Sequence, residues 1–273
     1  MYNLFKQFSF IVFITAFLFV KASAEENCSC PSQSKMGKGT FYMTWGYNKD
    51  WFSKSDLHFS GSELGGYNFT LQDVEAKDRP GFDQIFNTTL AVPQYVYRFG
   101  YFFNNKSNTG VEINFDHTKY VMIKNQTLHL RGNIGETFYD KDTLVDENFL
   151  LFEHTNGANF LMINFLKRYY LLKSANKKHW VSFVLKPGAG VVIPKTDVTL
   201  FGKRLDNKFH VAGYIAGFDA TLRYDFLKHF FIEASGKGTF ANYTNVLTVG
   251  SGKAHHHFFA CEVIAGLGIQ FGL

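Results

Sequence analysis

Long apolar runs are scarce in this chain, and their scarcity decides much. Past the stretch Phe8–Val20 no segment has the 18 consecutive apolar residues of a membrane-crossing helix. The mean hydropathy is −0.11, which argues against a bundle of such helices. Cysteine is nearly absent, three in 273 residues, so a disulfide-stapled mini-fold is excluded. Proline is rare, at 5, and charged residues are only 19%. Disorder needs low hydrophobicity and high charge, and this chain has neither. The formal net charge is +5, or +3 without Lys6 and Lys21 of the first 24 residues, too mild to imply a nucleic-acid partner, and no basic stripe supports one.

Aromatics and glycine are plentiful instead. Phe, Tyr and Trp make up 18% and Gly numbers 24. Lys6 precedes the apolar run to Val20, and Ala22-Ser23-Ala24 follows with the small residues a signal peptidase accepts. Residues 1–24 therefore read as a secretory leader cleaved after Ala24, and 25–38 as a polar tail. Cys28 and Cys30 in that tail would close a very tight ring. Glu25-Glu26-Asn27 before Cys28 does not fit a lipoprotein signal.

From residue 39 onward the pattern has period two. Tyr95, Tyr97, Phe99, Tyr101 and Phe103 fall on one face, with Arg98 and Gly100 on the other. Val111 and Ile113 oppose Glu112 and Asn114 in the same way. In 212–225 an apolar column opposes Asp219, Thr221, Arg223 and Asp225, and in 259–271 another opposes Glu262, Gly266 and Gly268. Several of these strands reach the roughly 9–11 residues that cross a bilayer at a tilt. A spanning sheet cannot leave backbone groups unpaired, so it must close. The fold predicted for 39–273 is one closed antiparallel transmembrane β-barrel with an even strand number. Eight strands are firm, near 39–48, 93–104, 109–121, 159–172, 179–190, 209–225, 229–240 and 257–271. Two optional pairs, 55–60 with 66–76 and 126–132 with 147–154, raise the count to ten or twelve, and twelve is favoured. Short links at 105–108, 174–178 and 227–228 would lie on the periplasmic side. The longer segments 49–92, 122–158, 191–208 and 241–256 would lie outside.

The last strand, Phe259–Phe271, resembles the terminal assembly signal of outer-membrane proteins, although the chain ends Phe271-Gly272-Leu273 rather than on the aromatic. The segments Asn114–Tyr120, Glu153–Phe160 and Phe240–Thr248 are similar to those of poorly characterised Gram-negative outer-membrane β-barrel proteins. That resemblance implies location and architecture only. It makes outer-membrane lipids and the barrel-assembly machinery the expected partners, with the surface ligand left open.

Charge on the inward face is the first candidate for chemistry. Arg98, Glu112, Asp116, Asp219, Arg223, Glu233, Lys237 and Glu262 would form a lumen network, with Arg98 and Glu112 able to pair across neighbouring strands. The network is either a plug of ion pairs or the lining of a narrow polar pore. His154 is a weaker candidate. It sits in a stretch that resembles the His-x-Ser-Asn segment of outer-membrane lipid A deacylases, but Thr155 follows it and no serine lies two residues on. The bland reading is a loop-edge histidine. His255 and His257, two apart on an extended chain, could chelate a metal together; His256 points away. Nucleotide-loop, zincin and Gly-x-Ser-x-Gly motifs are absent, and no cofactor is implied. Three classes follow: a non-catalytic barrel for envelope integrity, surface interaction or narrow solute passage; a lipid-modifying barrel enzyme; and a soluble lipocalin-like barrel. Orientation separates the first two from the third, because a lipocalin-like barrel turns its apolar face inward.

Overall fold

The computed structural model describes residues 39–79, 81, 94–104, 107–175 and 178–272. The segments expected as leader and polar tail, with Cys28 and Cys30, and the start of the strand expected at 93 lie outside them. The described residues form β1 (Thr40–Phe52), β2 (Ser55–Gly61), β3 (Tyr67–Val74), β4 (Ala76–Lys77), β5 (Val96–Phe102) and β6 (Thr109–Asp116). There follow β7 (Tyr120–Met122), β8 (Gln126–Ile134), β9 (Thr137–Val145), β10 (Leu150–His154), β11 (Phe160–Lys173) and β12 (Trp180–Val192). Last come β13 (Asp197–Leu200), β14 (Lys203–Asp206), β15 (Gly213–Phe226), β16 (Phe230–Leu247) and β17 (Lys253–Gly272).

Twelve strands share one antiparallel sheet, in the order β1-β5-β6-β11-β12-β15-β16-β17-β2-β3-β8-β9. β1 also pairs with β17, in unbroken register from Thr40 opposite Gly272 to Phe52 opposite Ala260. The sheet therefore has twelve strands, the number favoured from the pattern, but only eight of them close into a ring. Those eight are the eight firm strands of the sequence pattern. The other four continue past the ring. β2 follows β1 along β17, with His58 opposite His255, and β3, β8 and β9 build outward from it.

The first optional pair forms as expected. The second does not: β8 turns back into β9, not into 147–154. Gly135, at φ 60°, takes the left-handed turn that lets Ile134 face Thr137. Residues 150–154 instead join a second sheet, β14-β13-β10-β7-β4. The segment 241–256 is also strand rather than loop, since β16 and β17 extend beyond the ring with only residues 248–252 between them. Alternation continues there, but its inward residues meet protein instead of a lumen.

The apolar columns of the ring face outward. Ile113, Ile163, Tyr214, Leu222, Ile232, Phe259, Val263 and Leu267 are all exposed. Phe41, Trp45, Tyr97 and Phe271 add aromatic rings to the same surface. The polar residues between them are buried inside. That orientation excludes the lipocalin-like reading, whose apolar face would line the interior.

Glycine lets aromatics lie flat inside the narrow ring. A Cβ at Gly100 would collide with the Tyr42 ring, and one at Gly268 with the Phe231 ring. Beyond the ring, the extended main sheet and the second sheet share one apolar core. Leu57, Phe59, Phe69 and Leu130 come from the first; Tyr120, Phe152, Val198 and Leu200 come from the second. The Phe59 and Phe152 rings meet edge to face, centroids 5.7 Å apart. These strands form a cap whose core runs on into Phe160, Met162, Val192 and Ile215 of the ring strands.

Candidate functional site

Strand parity fills the ring with charge. Inward positions alternate with lipid-type residues, so each polar side chain on this face is taken out of water and must find a partner. Arg98, Glu112, Asp116, Asp219, Arg223, Glu233, Lys237 and Glu262 are all buried, none more than 6% exposed. The structure brings all eight into one connected network.

Two of its bridges run across the lumen. Arg98 Nη2 lies 2.7 Å from Asp219 Oδ2, joining β5 to β15, halfway round the ring. Lys237 bonds Asp116, joining β16 to β6, again halfway round. Shorter links complete the layer. Glu233 is 3.8 Å from Arg98 and 3.7 Å from Arg223, and Glu262 is 3.5 Å from Lys237. The expected Arg98–Glu112 pair is not the bridge that forms. Arg98 stands opposite Asn114 on β6, and Glu112 takes the ammonium of Lys186 at 2.9 Å instead.

Residues beyond the expected eight complete the network. Lys186 and Asp225 occupy the same inward parity and could have been named from it. Asp225 accepts from Arg223 Nε at 3.0 Å, and Lys186 also reaches Glu233 at 3.6 Å. Neutral side chains supply further bonds. The Tyr42 hydroxyl and the Asn164 amide both donate to Glu112. Asn48 donates to Asp50 and Glu262, and Gln94 donates to Asp50 at 2.9 Å. Nothing in the local sequence marks Tyr42 or Gln94 as partners of these carboxylates, because each bond joins residues far apart in the chain.

Below this layer, towards the short turns, the interior becomes aromatic. The Arg168 guanidinium carbon sits 3.5 Å from the Phe102 ring centre and that of Arg223 sits 3.3 Å from Phe231. Tyr42, Phe102, Leu166, Val184 and Phe231 pack together there.

His154 lies in the cap core, not at a loop edge. It is fully buried, with Thr196 Oγ1 3.0 Å from Nδ1 and His256 Nε2 3.3 Å from its own Nε2. Tyr243 stacks on it at 5.1 Å. Burial pushes its pKa down to about 3 and lowers His256 strongly, so both are neutral at pH 7. Thr155 turns away to bond Glu153 at 2.8 Å. A neutral imidazole sealed among aromatic rings has no route to a lipid ester. His255 and His257 sit outside on β17 and are exposed. His255 stacks on His58, centroids 4.4 Å apart, and His257 lies against Phe240. Among the described residues, no group of three or more His, Cys, Asp or Glu converges to hold a metal.

No protein-family model matches the chain, and no curated protein does. Solved structures give remote likenesses. The attachment invasion locus protein Ail of Yersinia pestis is 12% identical, with 86% of this chain and 99% of that chain covered at a TM-score of 0.35. Neisserial surface protein A is 13% identical over 86% and 100%, TM-score 0.35. The outer-membrane protein OprG of Pseudomonas aeruginosa is 14% identical over 87% and 98%, TM-score 0.35. Likeness of this order assigns neither family nor activity. The all-β fold rests on the strand pairings themselves.

Proposed function

We propose that the protein is an outer-membrane barrel with a sealed lumen that carries its β-structured cap on the cell surface. The cap acts in surface interaction or envelope integrity, and the ring is its anchor. The observation that carries this reading is the pair of ion bridges across the lumen, Arg98–Asp219 and Lys237–Asp116, inside a ring whose apolar columns face out. A polar pore would keep its charges around a water-filled space; here opposite walls bond each other directly. The outward apolar surface supports a lipid environment, since a patch of this extent is costly in water. The cap's second sheet supports a role beyond anchoring, because a ring alone needs only short connections.

The test has two arms. The protein should require detergent for extraction and run faster on a gel unboiled than boiled. Solubility without detergent, and no heat-dependent mobility shift, would overturn the membrane reading. Lys141→Cys, on exposed β9 of the cap, should react with a membrane-impermeant maleimide in intact cells well above the wild-type background. Reaction only after the outer membrane is permeabilised would place the cap on the wrong side.

A further inference from the structure

We propose that a cleft on the outer wall of the ring holds one acyl chain of a membrane lipid. The inference rests on the membrane reading above and goes beyond it. The cleft has a volume of about 280 Å³ and is lined by Tyr95, Phe115, Ile193 and Phe209, with His117, Asn156 and Asn159. Its place is what identifies the occupant. Tyr95 continues the outward column of β5 one step beyond Tyr97, and Phe115 ends the outward column of β6 above Ile113. Phe209 and Val211, on the approach to β15, and Tyr214 at its start are all exposed. The cleft thus opens at the outer end of the lipid-facing band and is continuous with it. Acyl chains are the medium that surrounds that band, so a chain is what meets these rings.

The cleft is built, not a chance gap between loops. Tyr95 stacks on His117 at 4.7 Å, with planes 10° apart. The His117 amide donates to Tyr95 O at 2.8 Å. Asn159 Nδ2 donates to Ile193 O at 3.0 Å, which fixes the amide's orientation and aims Oδ1 at His117 Nδ1, 2.8 Å away. The Ile193 amide returns a bond to Asn159 O at 2.9 Å. His117 Nδ1 is then the donor, and its Nε2 remains an acceptor. Apolar walls with an imidazole and amides among them suit a chain joined to a polar head. The volume lies near the lower end of ligand pockets, roughly 300 Å³, enough for a chain segment.

The experiment is native mass spectrometry of the full protein extracted from membranes in detergent. Wild type should carry a single lipid adduct. Ile193→Trp, which fills the cleft, should lower the lipid-bound fraction about tenfold, as loss of one side chain's worth of apolar burial requires. Val263→Ala, elsewhere on the lipid-facing wall, should leave that fraction unchanged. Each sample is also run boiled and unboiled; a wild type without the mobility shift refutes the membrane reading, whereas a shift without lipid refutes only the cleft. No adduct, a detergent adduct only, or equal adducts in wild type and Ile193→Trp overturns the proposal. Should Ile193→Trp lose the mobility shift, Phe209→Ser, which removes a wall at an exposed position, must give the same loss of lipid.

Discussion

At the scale of single residues, the lumen charges are held by their partners, so removing one exposes the others. Arg98→Met leaves Asp219 without its cation in a buried interior, while Glu233 keeps Arg223 and Lys186, and should cost about 3–5 kcal/mol. The midpoint of the temperature series of unboiled gel mobility reads this out. Adding Asp219→Leu should recover a good part of the loss, because the second charge no longer lacks its partner. The buried histidines make a different prediction. Their folded pKa values are depressed, so the unfolded chain binds more protons than the folded one as acid is added. Cap stability should be full above about pH 6.5 and decline below it, by about 2–3 kcal/mol for His154 at pH 4.5, with His256 acting in the same direction. Hydrogen exchange of β7 and β10 should therefore quicken on acidification, and His154→Phe should flatten that dependence. An unchanged slope would mean the pair does not control the cap. The eight lumen charges were legible from parity alone. Their pairing was not, since Arg98 meets Asp219 across the ring and no sequence spacing encodes that.

At the scale of elements, alternation identified the ring strands because each one divides an outward apolar side from an inward polar one. The β8–β9 hairpin escaped the same logic. Its turn needs only Gly135 in the left-handed region, and the competing apolar stretch 150–154 is as good a strand by pattern. That stretch pairs with β13 and β7 because the cap's second sheet needs Phe152 in its core, a demand set by packing and not by period. The glycines of the ring also have an element-level reason. Tyr42 on β1 lies across Gly100 on the paired strand β5, so the seam tolerates no side chain there. Gly100→Leu should displace the Tyr42 ring from Glu112 and lower stability by about 1–3 kcal/mol. The gel-mobility midpoint should drop accordingly; a neutral effect would show that the ring has room the packing denies.

At the scale of the whole molecule, three layers succeed one another along the ring axis: aromatic rings under two guanidinium groups, then the ion-pair network, then the apolar core of the cap. The sequence pattern reveals the outward apolar and inward polar sorting that makes a barrel, but the cap was legible only as long outer segments, because its two sheets are defined by contacts between distant stretches. The central claim is that this ring anchors and does not conduct. Planar-bilayer recording of the folded, heat-shiftable protein tests it most directly. The account predicts a quiet bilayer with no discrete current steps, for wild type at neutral pH; reproducible single-channel steps would contradict it.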